Sequence, residues 1–176
     1  MSKTQVKKLL EHLDAEQMKE MILDLYDARP EAKDYLDFYA QPDIDARLEK
    51  ARGLIDKEVR RTHRGYPRPR VTKLRRFIKD ITSLNPGMEY SLDIMTYAFE
   101  RLCSRAGSMY KEATQKSTAK LLQEIIVTAD KNGMLNDYLT RVSEAIEAIP
   151  KRYSVFVPNR MRALLKETLE NTLSGI

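Results

Sequence analysis

Residues 57–79 read KEVRRTHRGYPRPRVTKLRRFIK, ten Lys or Arg against a single acid, Glu58. At its centre, His63-Arg64-Gly65-Tyr66-Pro67-Arg68-Pro69 excludes a helix. Two prolines one residue apart fix φ and remove two backbone donors, and Gly65 supplies a turn. One amphipathic pattern of helical period ends before this segment and another begins after it. The fold is therefore expected to be helical on both sides of a basic loop at 62–69.

Before the loop, Ser2 with Gln5 and Asp14 with Gln17 are capping-box spacings. The first opens a helix through Val6, Leu9, Leu10 and Leu13. The second opens one with Met18, Met21, Ile22 and Leu25 on one face, ending near Ala28. Pro30 suits the first turn of a third helix carrying Tyr35, Leu36, Phe38 and Tyr39, and Gln41-Pro42-Asp43 breaks it. A fourth carries Ile44, Leu48, Ala51, Leu54, Ile55 and Val59, and grows basic towards its end. Cations there suit the helix macrodipole, so Arg60-Arg61 also has a purely helical explanation.

After the loop, Val71, Leu74, Phe77, Ile78 and Ile81 form the fifth apolar stripe, with Lys73, Arg75, Arg76 and Lys79 on the other faces. Asn85-Pro86-Gly87 stops it. The sixth helix, about 89–105, is the most apolar (Leu92, Met95, Ala98, Phe99, Leu102, Cys103) and is expected at the centre of the core. A seventh spans about 111–132, an eighth stops at Pro150, and a ninth opens at Pro158-Asn159. Tyr153-Ser154-Val155-Phe156-Val157 has strand-like composition but no partner strand, and reads as an extended linker. The expectation is one all-α domain over 1–176. About nine helices form stacked antiparallel hairpins without a sheet, with solenoid-like stacking as a further expectation.

The 176 residues suffice for one substantial core. The net charge of +5 is unevenly spread: residues 1–50 balance to −4, 51–82 to +8 and 83–176 to +1. One cysteine excludes an internal disulfide framework and fits a reducing compartment. No apolar run approaches the roughly 18 residues of a spanning helix, and the first residues lack the apolar core of a signal peptide. A cytoplasmic location without a membrane is expected.

Several segments carry a family resemblance: the opening SKTQVKKLL, Met21-Ile22-Leu23-Asp24-Leu25-Tyr26-Asp27, Glu31-Ala32-Lys33-Asp34-Tyr35-Leu36-Asp37-Phe38-Tyr39, and the basic turn before Val71. Over roughly the first 80 residues the chain resembles the small bacterial proteins grouped as domain of unknown function family 6155. The resemblance implies a bacterial, helical, cytoplasmic protein. It transfers no catalytic, cofactor or metal site.

The residues themselves offer no catalytic constellation. His12 and His63 stand far apart outside any metal-ligand spacing, and Cys103 falls on an apolar helix face without a base. No phosphate-cradling glycine motif occurs. The protein is accordingly read as non-enzymatic, without cofactor or metal. Its leading reading is a binding or scaffold protein acting on a protein partner or a second copy of itself. Tyr35, Tyr39, Tyr90, Tyr97 and Tyr138 are candidates for lining grooves, though their place beside the apolar stripes makes the rim of the core the commoner explanation.

The alternative is salt-sensitive, sequence-independent nucleic-acid binding through 57–79. Its candidate residues are Arg60, Arg61, Arg64, Tyr66, Arg68, Arg70, Lys73, Arg76 and Lys79. Guanidinium groups match phosphate geometry and Tyr66 can stack on a base. The acids of the first third (Asp34, Asp37, Asp43, Asp45, Glu49) are the competing partners for these cations. The two readings separate on whether the basic side chains are exposed together or neutralised.

Overall fold

The computed structural model describes residues 2–105, 107–151 and 156–174, and these form the expected all-α chain. Nine helices occur among them: α1 Lys3–Leu10, α2 Ala15–Ala28, α3 Pro30–Ala40, α4 Ile44–Val59, α5 Val71–Thr82, α6 Met88–Ser104, α7 Glu112–Lys131, α8 Leu135–Glu147 and α9 Phe156–Leu173. The absence of any sheet is corrected at one place. The loop expected at 62–69 is a β-hairpin, β1 Thr62–His63 pairing antiparallel with β2 Tyr66–Pro67. Of the run at 153–157 expected as an extended linker, residues 153–155 lie outside the described residues, and Phe156 and Val157 are not linker but the first turn of α9.

The chain divides into two compact units, residues 1–44 and 45–176. In the first, α2 is capped as its sequence dictates: Gln17 N–H donates to Asp14 Oδ1 at 2.8 Å, and Asp14 N–H to Gln17 Oε1 at 3.0 Å. Ser2 N–H likewise donates to Gln5 Oε1 at 2.9 Å ahead of α1. Pro30 occupies the first turn of α3, which packs on α2 and is tied to it by a hydrogen bond from Tyr26 Oη to Asp37 Oδ1 at 2.9 Å. Neither α1 nor α2 has a buried residue. Val6, Leu9, Met21, Ile22, Leu23 and Leu25 are all exposed.

The second unit holds an extensive core. Ile55, Leu74, Leu92, Phe99, Leu102, Leu121, Leu122, Ile125, Ile126, Ile146 and Met161 are almost wholly removed from water. Each contributes about 1.5–3 kcal/mol of burial free energy before chain entropy is set against it. As its composition predicts, α6 lies centrally, packing on α5, α7 and α8, while α7 also packs on α8 and α9. Several hydroxyls sit inside this core. Thr118 Oγ1 donates to the Thr114 carbonyl at 2.8 Å, whereas Thr96 Oγ1 has no partner among the described residues.

Half-buried charge ties α4 and α8 to α6. Arg141 holds Glu100 bidentately, at 2.8 and 3.2 Å, and reaches Asp93 Oδ1 at 2.9 Å. Arg52 bonds the other Asp93 oxygen and reaches Glu49 at 2.6 Å. Burial alone would raise the Asp93 carboxyl, but hydrogen bonds from these two guanidinium groups outweigh it and hold it below the usual carboxylate range. One turn further along α4, Asp56 accepts from Tyr97 Oη at 3.0 Å and Arg101 Nε at 2.7 Å. Tyr138 is buried and donates to the Glu89 carbonyl at 3.0 Å. Tyr97 and Tyr138 thus have structural roles.

Candidate functional site

The hairpin follows from its central dipeptide. Arg64 and Gly65 have φ of 51° and 81°. Positive φ at both central residues is the type I′ geometry that matches the right-handed twist of a two-residue hairpin. The ladder begins with His63 opposite Tyr66 and Thr62 opposite Pro67. Pro67 falls on the pair that exchanges no hydrogen bonds, so its missing N–H leaves no gap in the ladder. One step further, Arg68 N–H donates to the Arg61 carbonyl at 2.9 Å. The reciprocal bond cannot form, because Arg61 N–H closes the end of α4 on the Glu58 carbonyl at 3.2 Å. The Arg61 side chain supplies the missing donor instead, its Nη1 reaching the Arg68 carbonyl at 2.8 Å.

The chain then enters α5 through Arg70, its N-cap. The Glu58 carboxylate on α4 accepts the Arg70 backbone N–H and Nε at 2.9 Å each, and Nη2 at 2.7 Å. Glu58 therefore serves α5 as the third-position acid of a capping box serves its own helix. Its residue is only 6% exposed. The Arg70 hydrogen bonds lower its carboxyl below the usual range, against burial that raises it.

The nine candidate residues separate accordingly. Arg60 lies within 3.3 Å of Asp56, Arg61 is bound to the hairpin backbone, and Arg70 is held by Glu58. Arg75, outside that set, pairs with Glu124 of α7. Arg64, Arg68, Lys73, Arg76 and Lys79 are exposed and form no ion pair among the described residues. Lys73, Arg76 and Lys79 follow the side of α5 opposite the Leu74–Ile78–Ile81 stripe, over about 9 Å of helix axis. Tyr66 is 75% exposed.

Glu58 is the residue that sequence reasoning missed as an anchor. The signal was present: it lies three residues after Ile55 on the buried side of α4, and it is the only acid in the stretch. Gly107 was also missed. A Cβ there would come within 3.3 Å of Pro67 Cγ and φ is +74°, so the turn after α6 meets the hairpin at a position that favours glycine.

Cys103 is 1% exposed, and burial raises its pKa, which leaves it a poor nucleophile. The cavity of about 220 Å³ beside it includes Ser108 and Gln115 in its wall. These donate instead to the carbonyls of Leu102 at 2.5 Å and Met109 at 2.9 Å. His12 Nδ1 donates to the Lys8 carbonyl at 2.6 Å and is exposed, and His63 lies on the hairpin. No helix among the described residues is long and apolar enough to cross a membrane.

A family model described as Family of unknown function (DUF6155) matches residues 1–155, which carries the likeness well past the hairpin and through α8. No curated protein and no solved structure matches the chain.

Proposed function

The chain belongs to the DUF6155 family, whose description assigns no activity, and from its geometry we propose that it binds nucleic acid through the basic hairpin and the outer side of α5. The observation that carries this reading is the set of five exposed cations, Arg64, Arg68, Lys73, Arg76 and Lys79, without an ion pair among the described residues. Unpaired cations gather phosphates and release their counterions, which gives salt-sensitive binding largely indifferent to sequence. Arg61, Arg70 and Glu58 support the surface rather than form it. They fix the hairpin on α4 and the start of α5, so little chain entropy is lost when a polyanion docks.

The protein works in this reading by binding rather than by catalysis, in the cytoplasm of a bacterium. The test is fluorescence anisotropy with labelled oligonucleotides at low salt, beside vesicles of anionic phospholipid. Binding of the oligonucleotides that drops in Arg64→Ala/Arg68→Ala supports the reading. Failure to bind any oligonucleotide at low salt, or binding to vesicles alone, overturns it.

A second reading rests on a separate observation: the apolar residues that α1 and α2 leave exposed. On α2, Met21, Ile22 and Leu25 share one side, while Glu16, Glu20, Asp24 and Asp27 lie on the other. The occupant we assign to this stripe is a second copy of the chain. The −4 balance of residues 1–50 and the +8 balance of 51–82 draw copies together. Light scattering should show a dimer that Ile22→Asp/Leu25→Asp converts to monomer. A monomer at every concentration up to the solubility limit would dismiss it.

A further inference from the structure

The hairpin has two faces, and its register says which is which. Residues directly opposite in an antiparallel ladder share a face, and successive pairs alternate. Thr62 and Pro67 make one pair; Thr62 is exposed, but Pro67 is half-buried with its ring against Gly107, which marks this face as the one nearer the protein. His63 and Tyr66 make the next pair, on the opposite face, and both are exposed. Arg68, one step beyond on the second strand, keeps the ladder through its N–H on the Arg61 carbonyl, and alternation returns it to that outward face. Its aromatic pair is therefore bracketed by Arg64 at the turn and Arg68 behind it, two cations without an ion pair among the described residues.

Nothing in the fold requires this composition. Arg64 occupies a left-handed position where asparagine or glycine is the inexpensive choice. Tyr66 is 75% exposed. Strain and exposed ring together point outward, to a ligand.

We infer that the outward face of the hairpin is a stacking platform for an unpaired base, and that the nucleic acid bound here is single-stranded. This rests on the nucleic-acid reading above and names its substrate class. The two rings are cross-strand neighbours, about 5.5 Å apart at the backbone. That is close enough for one base to lie over Tyr66 with His63 beside it, while Arg64 and Arg68 take the phosphates on either side. A duplex keeps its base faces inside the stack and offers such a platform nothing. Stacking on an aromatic ring is indifferent to base identity, in keeping with sequence-independent binding.

The experiment uses the full chain and a labelled mixed-sequence 20-nucleotide strand, alone and annealed to its complement, by anisotropy. Wild-type protein should bind the single strand more tightly than the duplex. Tyr66→Ala should weaken single-strand binding about tenfold while leaving duplex binding and the salt dependence unchanged. Tyr66→Phe, which keeps the ring, should retain wild-type affinity. Equal affinity for strand and duplex, with Tyr66→Ala silent, overturns the platform while the charge-based reading stands. Binding of neither overturns both.

Discussion

The Glu58 carboxylate on α4 receives three hydrogen bonds from Arg70, two at 2.9 Å and one at 2.7 Å, one of them from the backbone N–H that begins α5. The basic stretch is thus built around its only acid. The two ends of the pair differ in exposure: Glu58 is buried, while the Arg70 side chain is partly in solvent. Removing the arginine strands a buried carboxylate, whereas removing the acid's charge leaves a cation that water can reach. Arg70→Ala is therefore expected to lower the melting temperature by more than Glu58→Gln, read by circular dichroism. The reverse order would contradict this role for Glu58.

Acid should loosen the same region. Glu58 and Asp93 both have carboxyl pKa values held below their ordinary range, so in moderately acidic solution the unfolded chain binds more protons than the folded one. Their stabilisation is present in full above the unfolded values, about 4. It is lost as pH falls through the folded values. Urea midpoints should be flat near neutrality and fall below about pH 4. Glu58→Gln should lessen the fall.

Thr96 offers a cleaner test of the core. Its hydroxyl is buried in α6 without a partner among the described residues, and an orphaned polar group of this kind costs about 1–3 kcal/mol. Thr96→Val keeps the shape and removes the hydroxyl. It should raise unfolding free energy by about 1 kcal/mol, measured by urea titration.

At the hairpin turn, stability and function should move in opposite directions. Arg64→Asn places a residue tolerant of positive φ where an arginine now holds 51°. It should preserve or raise stability, by up to about 1 kcal/mol, while weakening oligonucleotide binding. A loss of both would make Arg64 a structural residue only.

Much of this architecture is legible in the sequence because helices repeat their apolar residues. The apolar stripes, with the breakers at Pro30, Pro42 and Asn85-Pro86-Gly87, place the helices of the described residues to within a few residues, although α1 ends at Leu10 short of Leu13 and α9 begins at Phe156 rather than at Pro158. Cys103 on the apolar side of α6 is buried as its spacing predicts. The hairpin is not legible, since two-residue strands are too short to show alternation and Arg-Gly lacks the Asn-Gly turn signature. Periodicity also says which side of α2 is apolar without saying whether anything covers it, and Met21, Ile22 and Leu25 are exposed. The division of the cations was hidden for a related reason. Charge counts treat Arg64 and Arg70 alike, and only geometry shows that Arg70 is held while Arg64 has no ion pair among the described residues.

The central claim is tested most directly by the salt dependence of oligonucleotide affinity. For single-stranded ligand, log K plotted against log salt should be linear, losing about 0.7 from its slope for each phosphate contact removed. Arg64→Ala/Arg68→Ala/Arg76→Ala spares the Glu58–Arg70 anchor and should flatten the wild-type slope by about 2. A slope unchanged in the triple variant would contradict the account and return these arginines to the solvated surface.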